Sequence, residues 1–102
     1  MDIIHRPRQA GKTTEIIKRA AEEFLYIIVV NRHEADRVFA QAKDMGLDIP
    51  FPVTIQELMG SKATGIKVNG VAIDNAELIL RHIVESWTLS PVKVMSINKE
   101  EQ

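Results

Sequence analysis

The chain has no cysteine, which removes disulfides, thiolate chemistry and cysteine-based zinc sites together. Neither sign of charge is in excess. The formal net charge is −1, so bulk composition gives no general pull toward nucleic acid or an anionic membrane. Long apolar runs are missing too: Tyr26–Val30, even with Phe24 and Leu25 before it, is far too short to span a bilayer. Met1-Asp2 lacks a basic stretch and Ile3-Ile4 is too short for the core of a signal peptide. The expectation is therefore a soluble cytoplasmic chain with no membrane partner. There is no internal repeat or low-complexity block, and His5 and His82 have no carboxylate or second histidine at metal-ligand spacing. What is left is an ordinary apolar content of 45% in 102 residues. That suits one globular domain over residues 1–102, near the lower size limit for a sheet covered on both faces.

Against this plain background, Arg8-Gln9-Ala10-Gly11-Lys12-Thr13-Thr14 stands out. It follows the short apolar run Ile3-Ile4 and opens a helical pattern. A strand, a tight loop ending in Gly-Lys-Thr and a helix make a phosphate-binding device, because backbone N–H groups and the positive end of the helix dipole converge on an anion. In this reading Gln9, Ala10, Gly11, Lys12, Thr13 and Thr14 form the cradle. Lys12 adds a full charge, and the Thr13 hydroxyl is placed for the Mg²⁺ that accompanies a nucleoside triphosphate. A lysine in the first helical turn otherwise opposes the dipole. The loop is also altered. Its expected first glycine, five residues before Gly11, is Arg6, and Pro7 removes one N–H donor and stiffens the backbone. Arg6, Arg8, Lys12, Lys18 and Arg19 face one acid, Glu15, in this stretch. They are read first as neutralising a triphosphate and second as touching nucleic acid, since basic groups at a phosphate site need no further partner.

Five candidate strands alternate with helical patterns. They are Asp2–His5, Tyr26–Asn31, Phe51–Thr54, Val71–Asp74 and Val92–Ile97. Ile16, Ile17, Ala20, Ala21 and Phe24 give Thr13–Leu25 an apolar helical face. Ala35, Val38, Phe39, Ala42 and Met45 do the same for Glu34–Met45, stopped by Gly46. Gln56–Met59 allows about one helical turn. Ala76, Ile79, Leu80, Ile83, Val84 and Trp87 make a stripe along Asn75–Trp87, with Trp87 assigned to the core. Asn69-Gly70 offers two alternatives: a hairpin pairing Ile66–Val68 with Val71–Ile73, or a core strand at Val71–Asp74 with the preceding residues as its lead-in. Strands separated by helices imply a parallel sheet with its ligand at the strands' carboxyl ends. Polar residues collect there: His5, Asn31-Arg32, Thr54, Asp74-Asn75 and Ser96–Asn98. Asp74, ending an apolar strand, can hold the Mg²⁺ water shell opposite Thr13. The competing reading makes it a helix N-cap, with Asn75 part of the same cap.

Arg-Gln-Ala-Gly-Lys-Thr-Thr resembles the deviant Walker A loop of phage large terminases, the ATPases that package viral DNA. The order of elements is similar to the first motor domain of superfamily 1 and 2 helicases. The resemblance implies a P-loop NTPase: a single-domain, three-layer α/β fold, RecA-like, with about five mainly parallel strands and helices on both faces. It implies ATP and Mg²⁺ as cofactors, held by Gly11, Lys12, Thr13 and a Walker B Asp74. It also implies that Arg8 reaches the γ-phosphate from within the same subunit. Tyr26–Arg32 and Val94–Asn98 match strands that carry further helicase motifs. In that comparison Arg32 and His33 are candidate DNA contacts, although solvation is the reading preferred for them, and Asn98 is a candidate γ-phosphate sensor.

Two departures limit what the resemblance implies. The position after Asp74, where these ATPases carry a water-polarising glutamate, is Asn75. Asparagine is no base, and losing a positioned base lowers a rate by about 10²–10⁴; as a catalytic candidate Asn75 would only orient the water weakly, a reading set second to its part in the cap. Glu77 begins the next helix. The chain also has no room for a motor's second domain. The expectation is thus an ATP-binding domain with weak or partner-dependent hydrolysis in a phage or mobile-element DNA-handling system. Its partners would be a nucleoside triphosphate, DNA, and a homo-oligomer or larger assembly. The alternative is a non-catalytic nucleotide switch or assembly subunit. A small-molecule kinase is disfavoured, because Ser61–Gly65 carries no arginine for a lid. No aromatic or polar cluster marks a base pocket.

Overall fold

The computed structural model describes residue 4, residues 11–60 and residues 69–96. Helix α1 (Lys12–Glu23) buries Ile16, Ile17 and Ala20 on one side, as the spacing predicts, and closes at Phe24 in the left-handed region (φ 55°). Strand β1 (Tyr26–Val29) follows. Helix α2 (Arg32–Asp44) starts two residues earlier than the apolar pattern suggests, because Asn31 Oδ1 accepts the Glu34 amide at 2.9 Å and caps the first turn. Strand β2 (Val53–Thr54) runs straight into the short helix α3 (Ile55–Met59). That helix is capped reciprocally: the Thr54 hydroxyl accepts from the Glu57 amide, and the Glu57 carboxylate accepts from the Thr54 amide. Strand β3 (Val71–Ile73) and helix α4 (Ala76–Thr88) complete the order.

The strands form one parallel sheet in the order β2-β1-β3, with Ile28 opposite Val53 and Ile27 opposite Ala72. Successive residues of the central strand β1 point to opposite faces. Ile27 and Val29 join Ile16, Ile17, Ala20, Ala35 and Val38 beneath α1 and α2, while Ile28 and Val30 meet Ile55 and Ile79 beneath α3 and α4. A parallel α/β sheet with helices on both faces is what the alternation of elements implied. None of the described helices is long and apolar enough to cross a membrane.

The strand number differs. Three strands, not five, are present among the described residues. Candidate strand Asp2–His5 lies outside them except for Ile4, which packs against the α1–α2 core. Residues 91–96 form no strand. Pro91 offers no amide, the Val92 amide donates to Glu85 Oε2 at 2.8 Å, and Val94 is 87% exposed, with no apolar face to bury it. The hairpin residues Ile66–Val68 lie outside the described set, as does Ser61–Gly65, and Val71–Ile73 pairs in parallel with β1 as a core strand would.

Four apolar residues are not where periodicity put them: Phe24, Leu80, Val84 and Trp87. Phe24 is exposed at the end of α1, edge-on to Tyr26 with 6.5 Å between centroids. Trp87 is not core: it is 73% exposed. Helix α4 meets the sheet along Ile79 and Ile83, one turn apart, and this rotates Leu80, Val84 and Trp87 outward.

Candidate functional site

Helix α1 begins at Gly11, whose φ of 83° places it in the left-handed region. A Cβ there would meet nothing closer than Thr14 Cβ at 4.0 Å. Glycine is therefore required by the backbone angle and not by crowding. The first helical bond runs from the Glu15 amide to Gly11 O, 3.0 Å. The amides of Lys12, Thr13 and Thr14 precede that ladder, as in any first turn. Arg8, Gln9 and Ala10 lie outside the described residues, as do Arg6, Pro7 and His5.

Sixty-one positions further along, Asp74 comes to Thr13. The Thr13 hydroxyl donates to Asp74 Oδ2 at 3.1 Å, and Asp74 is 3% exposed. Its own amide donates to Ile28 O at 3.2 Å, which extends the β1–β3 pairing by one residue and fixes where the carboxylate leaves the sheet. The N-cap reading of Asp74 does not hold. Asn75 occupies the N-cap position of α4, with φ 57° and no capping bond from its side chain. Asparagine is among the few non-glycine residues that tolerate this left-handed backbone, so the conformation itself accounts for the residue type at 75.

Helix α2 supplies three groups that strand-end reasoning missed. Arg37 donates to Glu34 Oε2 through Nη2 at 2.7 Å and Nε at 2.9 Å, and the same Nη2 lies 3.9 Å from Asp74 Oδ2. Gln41 Nε2 donates to Thr14 Oγ1 at 3.0 Å. Glu34, Arg37 and Gln41 are spaced by three and four. They form a polar stripe beside the buried Ala35, Val38 and Ala42, and that periodicity is the sequence signal that could have found them.

Burial pushes the Asp74 carboxyl above its ordinary range. The Thr13 hydroxyl, the Arg37 guanidinium and the Lys12 ammonium pull it back, and the Glu34 charge adds to the rise. Arg37 is held even more firmly protonated than usual, chiefly by its hydrogen bond to Glu34.

A threonine hydroxyl and one carboxylate are hard oxygen donors. Among the described residues no group of three histidine, cysteine, aspartate or glutamate side chains is placed to hold a metal. An ion here would take most of its ligands from water and from a bound anion, which fits Mg²⁺ and does not fit zinc or an all-protein calcium cage.

Among the described residues, the other polar strand ends do not converge on this pair. Thr54 is engaged with Glu57. Arg32 stacks over Phe51 at 5.0 Å and pairs with Asp36, and His33 is exposed in the first turn of α2. Glu77 is exposed in the first turn of α4, Ser96 is exposed, and Asn98 lies outside the described residues. A cavity of about 280 Å³ between α3 and α4, lined by Met59, His82 and Trp87 among others, includes neither Thr13 nor Asp74 in its lining. No family model, curated protein or solved structure matches the chain.

Proposed function

We propose that the chain is a minimal P-loop domain that binds Mg²⁺ and a nucleoside triphosphate, ATP in the first instance. The observation that carries this is the 3.1 Å bond between Thr13 and Asp74. It joins the end of a Gly-Lys-Thr sequence to the end of an apolar strand across most of the chain, on the carboxyl-end side where parallel sheets take ligands. Lys12 would meet the β- and γ-phosphates, the Gln9–Thr14 amides and hydroxyls would cradle them, and Thr13 with Asp74 would hold the cation's water shell. Arg8 would offset charge on the terminal phosphate. The family resemblance adds a phage or mobile-element DNA-handling role in the cytoplasm, with DNA and a homo-oligomer or larger assembly as partners.

Hydrolysis by the isolated chain would be weak. Asn75 can orient a water but cannot take its proton, and Glu34, whose charge acts on Asp74, is already bound to Arg37. This favours a second reading, a nucleotide-binding switch or assembly subunit whose partner brings the base. Isothermal titration with ATP and Mg²⁺ tests the binding claim: heat is expected for the native chain and a large loss for Lys12→Ala. No heat, or unaltered binding in Lys12→Ala, overturns it. Phosphate release measured with and without DNA then separates a slow ATPase from a binder.

A further inference from the structure

Arg37 reaches the buried Asp74 carboxylate from the neighbouring helix, and the proposed site does not use it. Its Nη2 is shared between Glu34 Oε2 at 2.7 Å and Asp74 Oδ2 at 3.9 Å. Glu34 is itself fixed by the Asn31 cap at the start of α2. The Arg37 side chain is 42% exposed, so it can swing away into water, whereas Asp74, 3% exposed, cannot. We propose that Arg37 is the resident counter-ion of Asp74, which a divalent cation must displace, and that Glu34 is the tether that weakens its hold.

The inference rests on reading the Thr13–Asp74 pair as a cation–nucleotide site. A cation arriving there competes with a positive charge already in place. Removing Arg37 therefore tightens the site for the cation. Removing the Glu34 charge does the opposite, because the guanidinium then turns wholly to Asp74 and a nearby negative charge is lost. At this separation, and damped by the exposure of Arg37, each effect is roughly three- to tenfold in cation affinity.

The opposite signs separate this from a merely structural role, which would weaken binding in both variants. The probe is a fluorescent ATP analogue on the full chain, titrated with Mg²⁺ at fixed nucleotide. Arg37→Met is expected to lower the Mg²⁺ midpoint roughly three- to tenfold, Glu34→Gln to raise it, and the double variant to fall between the two single variants. An unchanged or raised midpoint in Arg37→Met overturns the proposal, as does a lowered one in Glu34→Gln should Arg37→Met fail to fold. Melting without nucleotide gives a second readout: Arg37→Met lowers the Tm of the native chain, and by less in an Asp74→Asn background, where only the bonds to Glu34 are lost. Equal effects in both backgrounds overturn the pairing. A native chain that binds no nucleotide at any Mg²⁺ concentration overturns the site reading and this inference together, whereas binding with unmoved midpoints overturns the inference alone.

Discussion

The two faces of the sheet are not built alike. Among the described residues, nine buried apolar ones form one cluster under α1 and α2, with Ile17, Ala20, Ala35 and Val38 completely excluded from water. Under α3 and α4 the cluster has four members, and the apolar residues Val71, Ile73, Leu80 and Val84 are exposed around it. The site straddles this difference. Thr13 and Arg37 stand on helices seated in the dense face, while Asp74 ends the strand that leads to the thinly seated α4. The groups that reach Asp74 from α1 and α2 are thus held by packing. The carboxylate is held mainly by its backbone bond to Ile28 and the Thr13 hydroxyl.

The largest expected effect separates the faces directly. Ile17→Ala should cost about 3–4 kcal/mol in chemical denaturation and Ile79→Ala about 2 kcal/mol, since cavity cost grows with the density of what surrounds it. Equal losses would erase the contrast.

An intermediate effect is expected from Asp74→Asn, which keeps an acceptor for Thr13 and removes a buried charge. The folded pKa of Asp74 lies above its ordinary value of 3.8, so the native state binds the proton more tightly than the unfolded chain. Stability from this group is fullest below 3.8 and declines as pH rises toward the folded pKa. Asp74→Asn should therefore melt higher than the native chain at neutral pH, with the gap closing in acid, while losing Mg²⁺-dependent nucleotide binding. A lower melting point at neutral pH would show that the carboxylate's partners outweigh its burial. Glu57 and Glu85 run the other way. Hydrogen bonds to the Thr54 and Val92 amides hold them below the ordinary 4.5, so the stability they give is present above 4.5 and lost as pH falls through their lowered pKa values. The difference between the two melting profiles isolates Asp74.

The smallest effect is expected at Trp87. Replacing it with serine should change unfolding free energy by no more than about 0.5 kcal/mol, because its ring is already in water. A loss near 2 kcal/mol, or a change in molecular mass by light scattering, would mean that the thin face is covered in solution.

The dense face was legible in the sequence because Ile16, Ile17 and Ala20, and Ala35, Val38 and Ala42, each offer one apolar stripe and no rival. Helix α4 offers two, Ile79–Ile83 and Leu80–Val84–Trp87, and periodicity alone does not say which one meets the sheet. The Thr13–Asp74 encounter was legible because each residue closes a recognisable local pattern. Arg37 was not, because a charge on a helix's polar side is normally solvated. Val92–Ile97 read as a strand from its composition, but Pro91 and the Glu85 acceptor give its backbone somewhere else to go.

The turn at Asn75 also sets the order in which a carboxylate could be introduced beside Asp74. Its φ of 57° admits glycine freely and aspartate with little penalty. Glutamate there would carry about 1–2 kcal/mol of backbone strain or reshape the start of α4. A designer placing a base beside Asp74 to test the proposed nucleotide site would do better to relax the turn first, since a one-step swap to glutamate would alter the geometry that aims Asp74 before it supplied that base.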